Sequence, residues 1–194
     1  TSRGCELMKN INISDIKVLW DKESIDKEVK RVAIEINSKF QDEKSVNLIP
    51  IMTGGLMFVS NLIAELESIR SGCYHMFPLI AKTYGNSTES QGTTIYGYDF
   101  LAENIDVNSP SVIVDDLMDS GETLYKLSEK LDKTSNKEVY TAVLLDKLGK
   151  RHMKIEPDFY CFILDDKRWV VGYGMDYMGM YRGLDFVGTI NHDF

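Results

Sequence analysis

The distribution of apolar residues predicts helices in three parts of the chain. In residues 21–41 they fall three or four positions apart, which places them on one face of an amphipathic helix. Residues 56–66 follow a Gly-Gly pair and look helical, and the leucines of residues 122–131 repeat at helical spacing. The spacing therefore predicts three helices.

Shorter runs of apolar, β-branched and aromatic residues predict strands between these helices. The runs cover residues 46–51, 74–82, 111–114, 138–145 and 159–164. The polar residues 83–94 predict a mobile loop that leads into a further, aromatic-rich strand at 95–100. Strands that alternate with helices predict an α/β fold with a parallel-cored sheet.

Composition narrows the class of protein. A chain of 194 residues with 43% hydrophobic and 27% charged residues is typical of one soluble domain. Its apolar runs are too short to span a bilayer, so we expect no membrane partner. The formal charge of -8 disfavours binding to nucleic acid, which draws its affinity from clustered Lys and Arg.

The cysteines indicate the compartment. Cys5, Cys73 and Cys161 are widely spaced and form no C-x-x-C pair, which argues against a disulfide framework and a thiolate zinc site. We therefore expect a cytoplasmic protein. Residues 1–7 are expected to be a remnant of expression, because residues 8–10 read like a natural start. Residues 8–194 are then expected to form a single domain.

Two aspartates follow the predicted strand at residues 111–114. Ligands of an open α/β sheet bind beyond the carboxyl ends of its strands, so Asp115 and Asp116 are candidate acceptors for hydroxyl groups. The next residues, 119–123, predict a helix start, whose N–H groups and dipole attract phosphate. Taken alone, an Asp-Asp pair is more often a solvated turn, and Ser120 is more often a helix cap.

The whole order within residues 112–123 is more specific than its parts. An apolar strand, Asp-Asp, three residues and Ser-Gly-x-Thr resemble the phosphoribosyl-pyrophosphate signature of type I phosphoribosyltransferases. The resemblance implies that family's fold, a parallel-cored twisted sheet flanked by helices, with a small hood formed by N- and C-terminal segments. It places the core at about residues 22–150 and the purine-binding hood segment at about 155–194. It also implies that the phosphoribosyl group is bound by the signature residues Asp115, Asp116, Asp119, Ser120, Gly121, Glu122 and Thr123.

Two residues point to the base that such an enzyme would take. Asp119 matches the family members that act on 6-oxopurines, which implies that it is the catalytic residue sharing a proton with the base. Residues 144–147 resemble the purine-recognition strand, whose lysine, here Lys147, donates to the exocyclic oxygen. An ammonium has donors and no acceptor, so it favours a carbonyl over an amino group. Alone, Lys147 would be read as a surface lysine.

The C-terminal part carries further resemblance. Residues 166–177 are similar to the family's hood, which implies that Trp169 stacks on the base and that the backbone of Val170 reads its edge. Asp176 matches a carboxylate near the purine and a magnesium ion, and Arg182 matches an arginine that contacts pyrophosphate. A core aromatic and a paired surface charge are the plain alternatives for these residues.

Two loops complete the resemblance. Residues 52–55 resemble the pyrophosphate loop, which implies that Thr53 and Gly54 bind pyrophosphate, although family members often have a lysine at the position of Thr53. The family also implies a cis peptide bond between Met52 and Thr53. Thr83 and Tyr84 match the flexible loop that closes over the reaction centre, although a plain hairpin loop fits their composition equally well.

Together the motifs imply a purine salvage enzyme. The expected reaction joins hypoxanthine, and with it guanine, to phosphoribosyl pyrophosphate, with Mg²⁺ held by Asp115, Asp116 and Asp176. A preference for xanthine remains an alternative, and so does a noncatalytic regulator with the same fold. The family also implies a homodimer or homotetramer.

Overall fold

The computed structural model describes residues 12–82, 94–165 and 167–190. These ranges contain ten strands, four α-helices and a short 3-10 helix, Ile13–Asp15. The predictions for residues 1–7 and for Thr83 and Tyr84 concern residues outside the described ranges. The strands are β1 Ile16–Trp20, β2 Val46–Met52, β3 Tyr74–Met76, β4 Leu79–Lys82, β5 Thr94–Tyr96, β6 Ser111–Met118, β7 Val139–Lys147, β8 Phe159–Leu164, β9 Trp169–Val171 and β10 Val187–Ile190. The helices are α1 Lys22–Lys39, α2 Leu56–Ile69, α3 Tyr98–Asn104 and α4 Glu122–Asp132.

A large, mostly parallel sheet forms the centre of the molecule. Its strands lie in the order β5-β4-β2-β6-β7-β8, and β3 also pairs with β2. Every pairing is parallel except that of β4 with β5. The carboxyl ends of β2, β6 and β7 therefore meet at one edge of the sheet, as the α/β prediction required.

A small antiparallel sheet is built from both ends of the described chain. β10 pairs with β1 on one side and with β9 on the other. The implied fold, with a small hood formed by N- and C-terminal segments, is confirmed. The boundaries near residues 150 and 155 stay a prediction, and β8 belongs to the large sheet.

The three predicted helices, α1, α2 and α4, form where the apolar period placed them, and α3 was not predicted. Asp21 caps α1 by accepting a hydrogen bond from the Ser24 amide at 2.9 Å, and the helix buries Ile25, Val29, Val32 and Ile36. α4 likewise buries its three leucines. No described helix is long and apolar enough to cross a membrane.

Three predicted boundaries were wrong for local reasons. Residues 74–82 form two short strands, because Phe77 and Pro78 interrupt the strand and proline cannot donate a hydrogen bond to a neighbouring strand. Residues 95–100 are only partly a strand, since Gly97, at φ +87°, precedes α3. β6 continues through Asp115 and Asp116 to Met118, because its pairing with β7 extends that far.

Candidate active site

One cavity of about 430 Å³ opens at the edge where β2, β6 and β7 end. Most of the residues that line the cavity were predicted from the sequence, and the others are apolar. The predicted residues in the wall are Thr53, Gly54, Asp115, Asp116, Asp119, Thr123, Lys147, Trp169, Val170, Asp176 and Arg182. The fold thus brings together groups that are up to 129 positions apart in the sequence.

The two aspartates of β6 lie in the wall of this cavity. Asp115 is buried, and its Oδ1 accepts a hydrogen bond from the Asp116 amide at 2.9 Å. Burial raises the pKa of the Asp115 carboxyl well above its ordinary value, and the charge of Asp116 raises it further. Burial also raises the pKa of Asp116, although the nearby Arg182 opposes the shift. A cation bound here would favour the ionised form of both carboxyls.

A smaller hollow of about 130 Å³ lies beside the cavity at the start of α4. Ser120, Gly121, Glu122 and Thr123 all line it. The N-cap of the helix is Gly121, at φ +83°, and the Glu122 amide donates to Ser120 Oγ at 3.3 Å. The negative charge of Glu122 is offset by an ion pair with Lys126. The helix start therefore offers backbone amides to a phosphate without repulsion from Glu122, although Asp115 and Asp119 also line the hollow.

Lys147 and Asp119 form a close pair in the cavity wall. Lys147 Nζ lies 3.7 Å from Asp119 Oδ2, and the lysine side chain is only 3% exposed. The second oxygen of Asp119, Oδ1, is buried and has no hydrogen-bond partner among the described residues. A ligand here meets a positive donor and an available acceptor side by side.

The Trp169 ring is held at the rim of the same cavity. Its indole Nε1 donates to the backbone carbonyl of Asp176 at 2.8 Å. Tyr177 packs edge-on against the indole, with ring centroids 6.1 Å apart and an interplanar angle of 83°. The indole is 39% exposed, so a flat ligand can reach it.

Asp176 and Arg182 hold one another between β9 and β10. Arg182 Nη2 lies 2.5 Å from Asp176 Oδ1, and its Nη1 donates to the Gly174 carbonyl at 2.6 Å. The other carboxylate oxygen of Asp176 accepts from the Gly179 amide at 2.6 Å. Each Asp176 oxygen keeps a second lone pair, so the predicted role of Asp176 as a metal ligand stays a prediction.

The loop after β2 is tightly packed between β6 and the C-terminal turns. The peptide bond between Met52 and Thr53 is cis, as expected. A β-carbon at Gly54 would overlap the Asp116 carboxylate, and one at Gly174 would overlap the Gly54 carbonyl. Gly174 faces backbone and therefore requires glycine, whereas a side chain at position 54 would force the Asp116 carboxylate to move.

Sequence reasoning missed the apolar part of the cavity wall. Ile51, Met52, Ala81, Leu117 and Met175 lie between the charged groups. Their signal in the sequence is weak, because apolar residues next to a strand end are most often core residues. Position on the two central strands, β2 and β6, is the feature that could have identified three of them.

Comparison with known proteins assigns the class. Residues 5–178 match the family model described as the phosphoribosyl transferase domain, and the chain belongs to that family. The hypoxanthine-guanine phosphoribosyltransferase of Bacillus subtilis (strain 168) is 35% identical over 176 residues, which cover 90% of this chain and 92% of that protein.

Two further similar proteins are also named as purine phosphoribosyltransferases. The hypoxanthine-guanine-xanthine phosphoribosyltransferase of Tritrichomonas foetus is 28% identical over 90% of this chain and 91% of its own length. The crystal structure of a hypoxanthine phosphoribosyltransferase from Staphylococcus aureus superimposes with a TM-score of 0.79 at 26% identity. That comparison covers 95% of this chain and 96% of the other.

Proposed function

We propose that this chain is a purine salvage enzyme that transfers the phosphoribosyl group of phosphoribosyl pyrophosphate to hypoxanthine and guanine. The products are IMP or GMP and pyrophosphate. The observation that carries the proposal is the pairing of Lys147 with Asp119 at 3.7 Å in a cavity that also contains Trp169 and adjoins the hollow at α4. The names of the relatives support the same reaction.

The base is recognised by three groups. The exocyclic oxygen of a 6-oxopurine accepts a hydrogen bond from Lys147, which has no acceptor for the amino group of adenine. Trp169 stacks on one face of the ring, a contact of about 0.5–1.5 kcal/mol beyond the buried area. The backbone of Val170 lies beside Trp169 and contacts the edge of the base.

The transfer breaks the bond between the anomeric carbon and pyrophosphate and forms one to an imidazole nitrogen of the purine. The proton on the opposite imidazole nitrogen passes to Asp119, whose Oδ1 has no other partner among the described residues. Arg182 stabilises the charge that develops on the leaving pyrophosphate, with the amides near Thr53 and Gly54. Asp115 and Asp116 orient the ribose hydroxyls, and residues 120–123 hold the 5'-phosphate.

Magnesium fits the carboxylates on β6. No group of three or more His, Cys, Asp or Glu that could hold a metal ion is found among the described residues. Asp115 and Asp116 can supply part of an oxygen coordination shell, and the substrate's own oxygens complete it. A bound ion would neutralise negative charge on the pyrophosphate group of the substrate. Such an ion would also oppose the rise in the pKa of Asp115 that burial and, after it, the charge of Asp116 produce.

A panel of purines tests the specificity. Pyrophosphate release is followed with Mg²⁺, phosphoribosyl pyrophosphate and either hypoxanthine, guanine, xanthine or adenine. We expect turnover with hypoxanthine and guanine and none with adenine. Faster turnover with xanthine than with hypoxanthine would favour a xanthine-preferring enzyme, and silence with every purine would favour a noncatalytic regulator.

A further inference from the structure

Arg151 lies in the segment between β7 and β8. Its guanidinium connects the end of β6, which Asp119 follows, with the end of β7, where Lys147 lies. Its side chain is 13% exposed. It donates to the carbonyls of Met118 at 2.9 Å, Asp119 at 3.1 Å, Ile155 at 2.9 Å and Lys147 at 3.4 Å. It also forms an ion pair with the carboxylate of Asp146. One planar group thus bonds to the ends of both β6 and β7.

We propose that Arg151 is a positioning residue that sets the distance between Asp119 and Lys147, and so the match to the base. The inference rests on the proposed function. In a 6-oxopurine, the exocyclic oxygen and the nearer imidazole nitrogen lie side by side on one edge. A lysine and a carboxylate that contact these two atoms must therefore be held at a matching distance, which their own flexible side chains do not fix.

The geometry of arginine suits this task. Its donors have fixed directions in one plane, whereas lysine presents a single rotatable ammonium. Arg151 contacts the backbone carbonyls of Asp119 and Lys147 and not their side chains. It therefore fixes the backbone positions from which the two side chains extend. The buried pair with Asp146 fixes the guanidinium itself. An error of about 1 Å in such a site can cost about 100-fold in rate.

The residues after Arg151 also contact the hollow at the start of α4. The amides of His152 and Met153 donate to the Ser120 carbonyl at 3.4 and 3.3 Å. A β-carbon at Gly121 would lie 2.7 Å from Ile155 Cγ2. The two hydrogen bonds to Ser120 do not involve the guanidinium, so we expect them to persist when Arg151 is replaced, although Arg151 Cδ also lies close to Gly121. Loss of Arg151 therefore affects purine recognition more than phosphate binding.

A second arginine provides a matched control. Arg70 follows α2 and donates to the carbonyls of Phe40, Gln41 and Glu43 at 3.0, 3.1 and 3.0 Å. It lies near the start of β3, whereas the cavity lies at the carboxyl ends of the strands. Arg70→Met thus removes a comparable set of arginine-to-carbonyl bonds at a place remote from the cavity.

The test compares Arg151→Met, Arg151→Lys and Arg70→Met in the full chain. For both Arg151 variants we expect the KM for hypoxanthine to rise about tenfold or more and kcat to fall about tenfold, with the KM for phosphoribosyl pyrophosphate changing less than about threefold. Arg151→Lys keeps the charge beside Asp146, so it keeps the variant folded if Arg151→Met does not fold. Arg70→Met should lower the melting temperature but leave all three kinetic constants nearly unchanged.

Hydrogen exchange gives a readout that does not need activity. Amides of residues 118–121 and 147–148 should exchange faster in the Arg151 variants and not in Arg70→Met. An unchanged hypoxanthine KM in the Arg151 variants would overturn the positioning role, and so would an equal rise in Arg70→Met or unchanged exchange. If the wild type shows no turnover, the proposed function fails. The positioning role of Arg151 is then tested by exchange alone, and unchanged exchange at residues 118–121 and 147–148 would overturn it.

Discussion

Replacing Lys147 with methionine tests recognition of the base oxygen directly. Methionine nearly fills the volume of this side chain, which is 3% exposed, while removing its charge and donors. A hydrogen bond from a charged donor contributes about 1.5–3 kcal/mol, and about 1.4 kcal/mol corresponds to a tenfold change in affinity. We therefore expect the KM for hypoxanthine to rise by about 10- to 150-fold.

The fold should tolerate this change. The variant no longer buries an ammonium, and the Asp119 side chain, 29% exposed, keeps contact with water after losing its partner. We expect the free energy of unfolding to fall by about 1–3 kcal/mol, less than the loss of one partner from a fully buried pair would cost. Thermal melting of both proteins in the same buffer measures this, and it ensures that a kinetic defect is not a folding defect.

Initial rates separate the two substrates. Hypoxanthine is varied at saturating phosphoribosyl pyrophosphate, and then the reverse. We expect the KM for phosphoribosyl pyrophosphate to change little, and the discrimination between hypoxanthine and adenine to shrink in Lys147→Met. Equal weakening of both substrates would refute the reasoning, because it would show that Lys147 does not act on the base oxygen.

Three further changes test other parts of the site. Asp119→Asn should keep the fold and donor binding but lower turnover about 100-fold or more, as measured by steady-state rates, and near-normal turnover would remove Asp119 from the mechanism. The pKa of Asp115 is raised in the folded state, so stability falls as pH rises from its unfolded to its folded value. In metal-free buffer, Asp115→Asn should melt higher than wild type at neutral pH and lose that advantage below the ordinary aspartate pKa; an equal advantage at both pH values would contradict this. Gly174→Ala should raise the KM for phosphoribosyl pyrophosphate, because its β-carbon would overlap the Gly54 carbonyl. Gly179→Ala, at φ +81° but with nothing within 4 Å, is its control, and equal kinetic effects would exclude the overlap as the cause.

Much of the fold could be predicted from the apolar pattern, because α1, α2 and α4 each bury one face and the central strands are almost wholly buried. The pattern of residues 21–41 placed five apolar residues on one face, and all five are buried, four of them within α1 and Phe40 just after it. β8 has the predicted bounds. The small sheet was predicted only through the family resemblance. β1 has two residues exposed and two half-buried, so its five residues carry no strong pattern, and the strand depends on β10, far away in the sequence.

The residues of the candidate site could be predicted from the sequence, but part of its geometry could not. Asp119 and Lys147 were identified through the family resemblance, and Lys147 taken alone would have been read as a surface lysine. Their separation was not predictable, since it depends on Arg151, which contacts the carbonyls of Met118 and Asp119 from far along the sequence. The pairing of Asp176 with Arg182 also arises from a turn geometry that composition does not reveal.

Product identity is the most direct test of the central claim. The chain is incubated with Mg²⁺, phosphoribosyl pyrophosphate and hypoxanthine, and the mixture is separated and analysed by mass spectrometry. The account predicts IMP and pyrophosphate in equal amounts, with no nucleotide formed when adenine replaces hypoxanthine. Absence of IMP from a folded protein, or formation of AMP at a comparable rate, would contradict it.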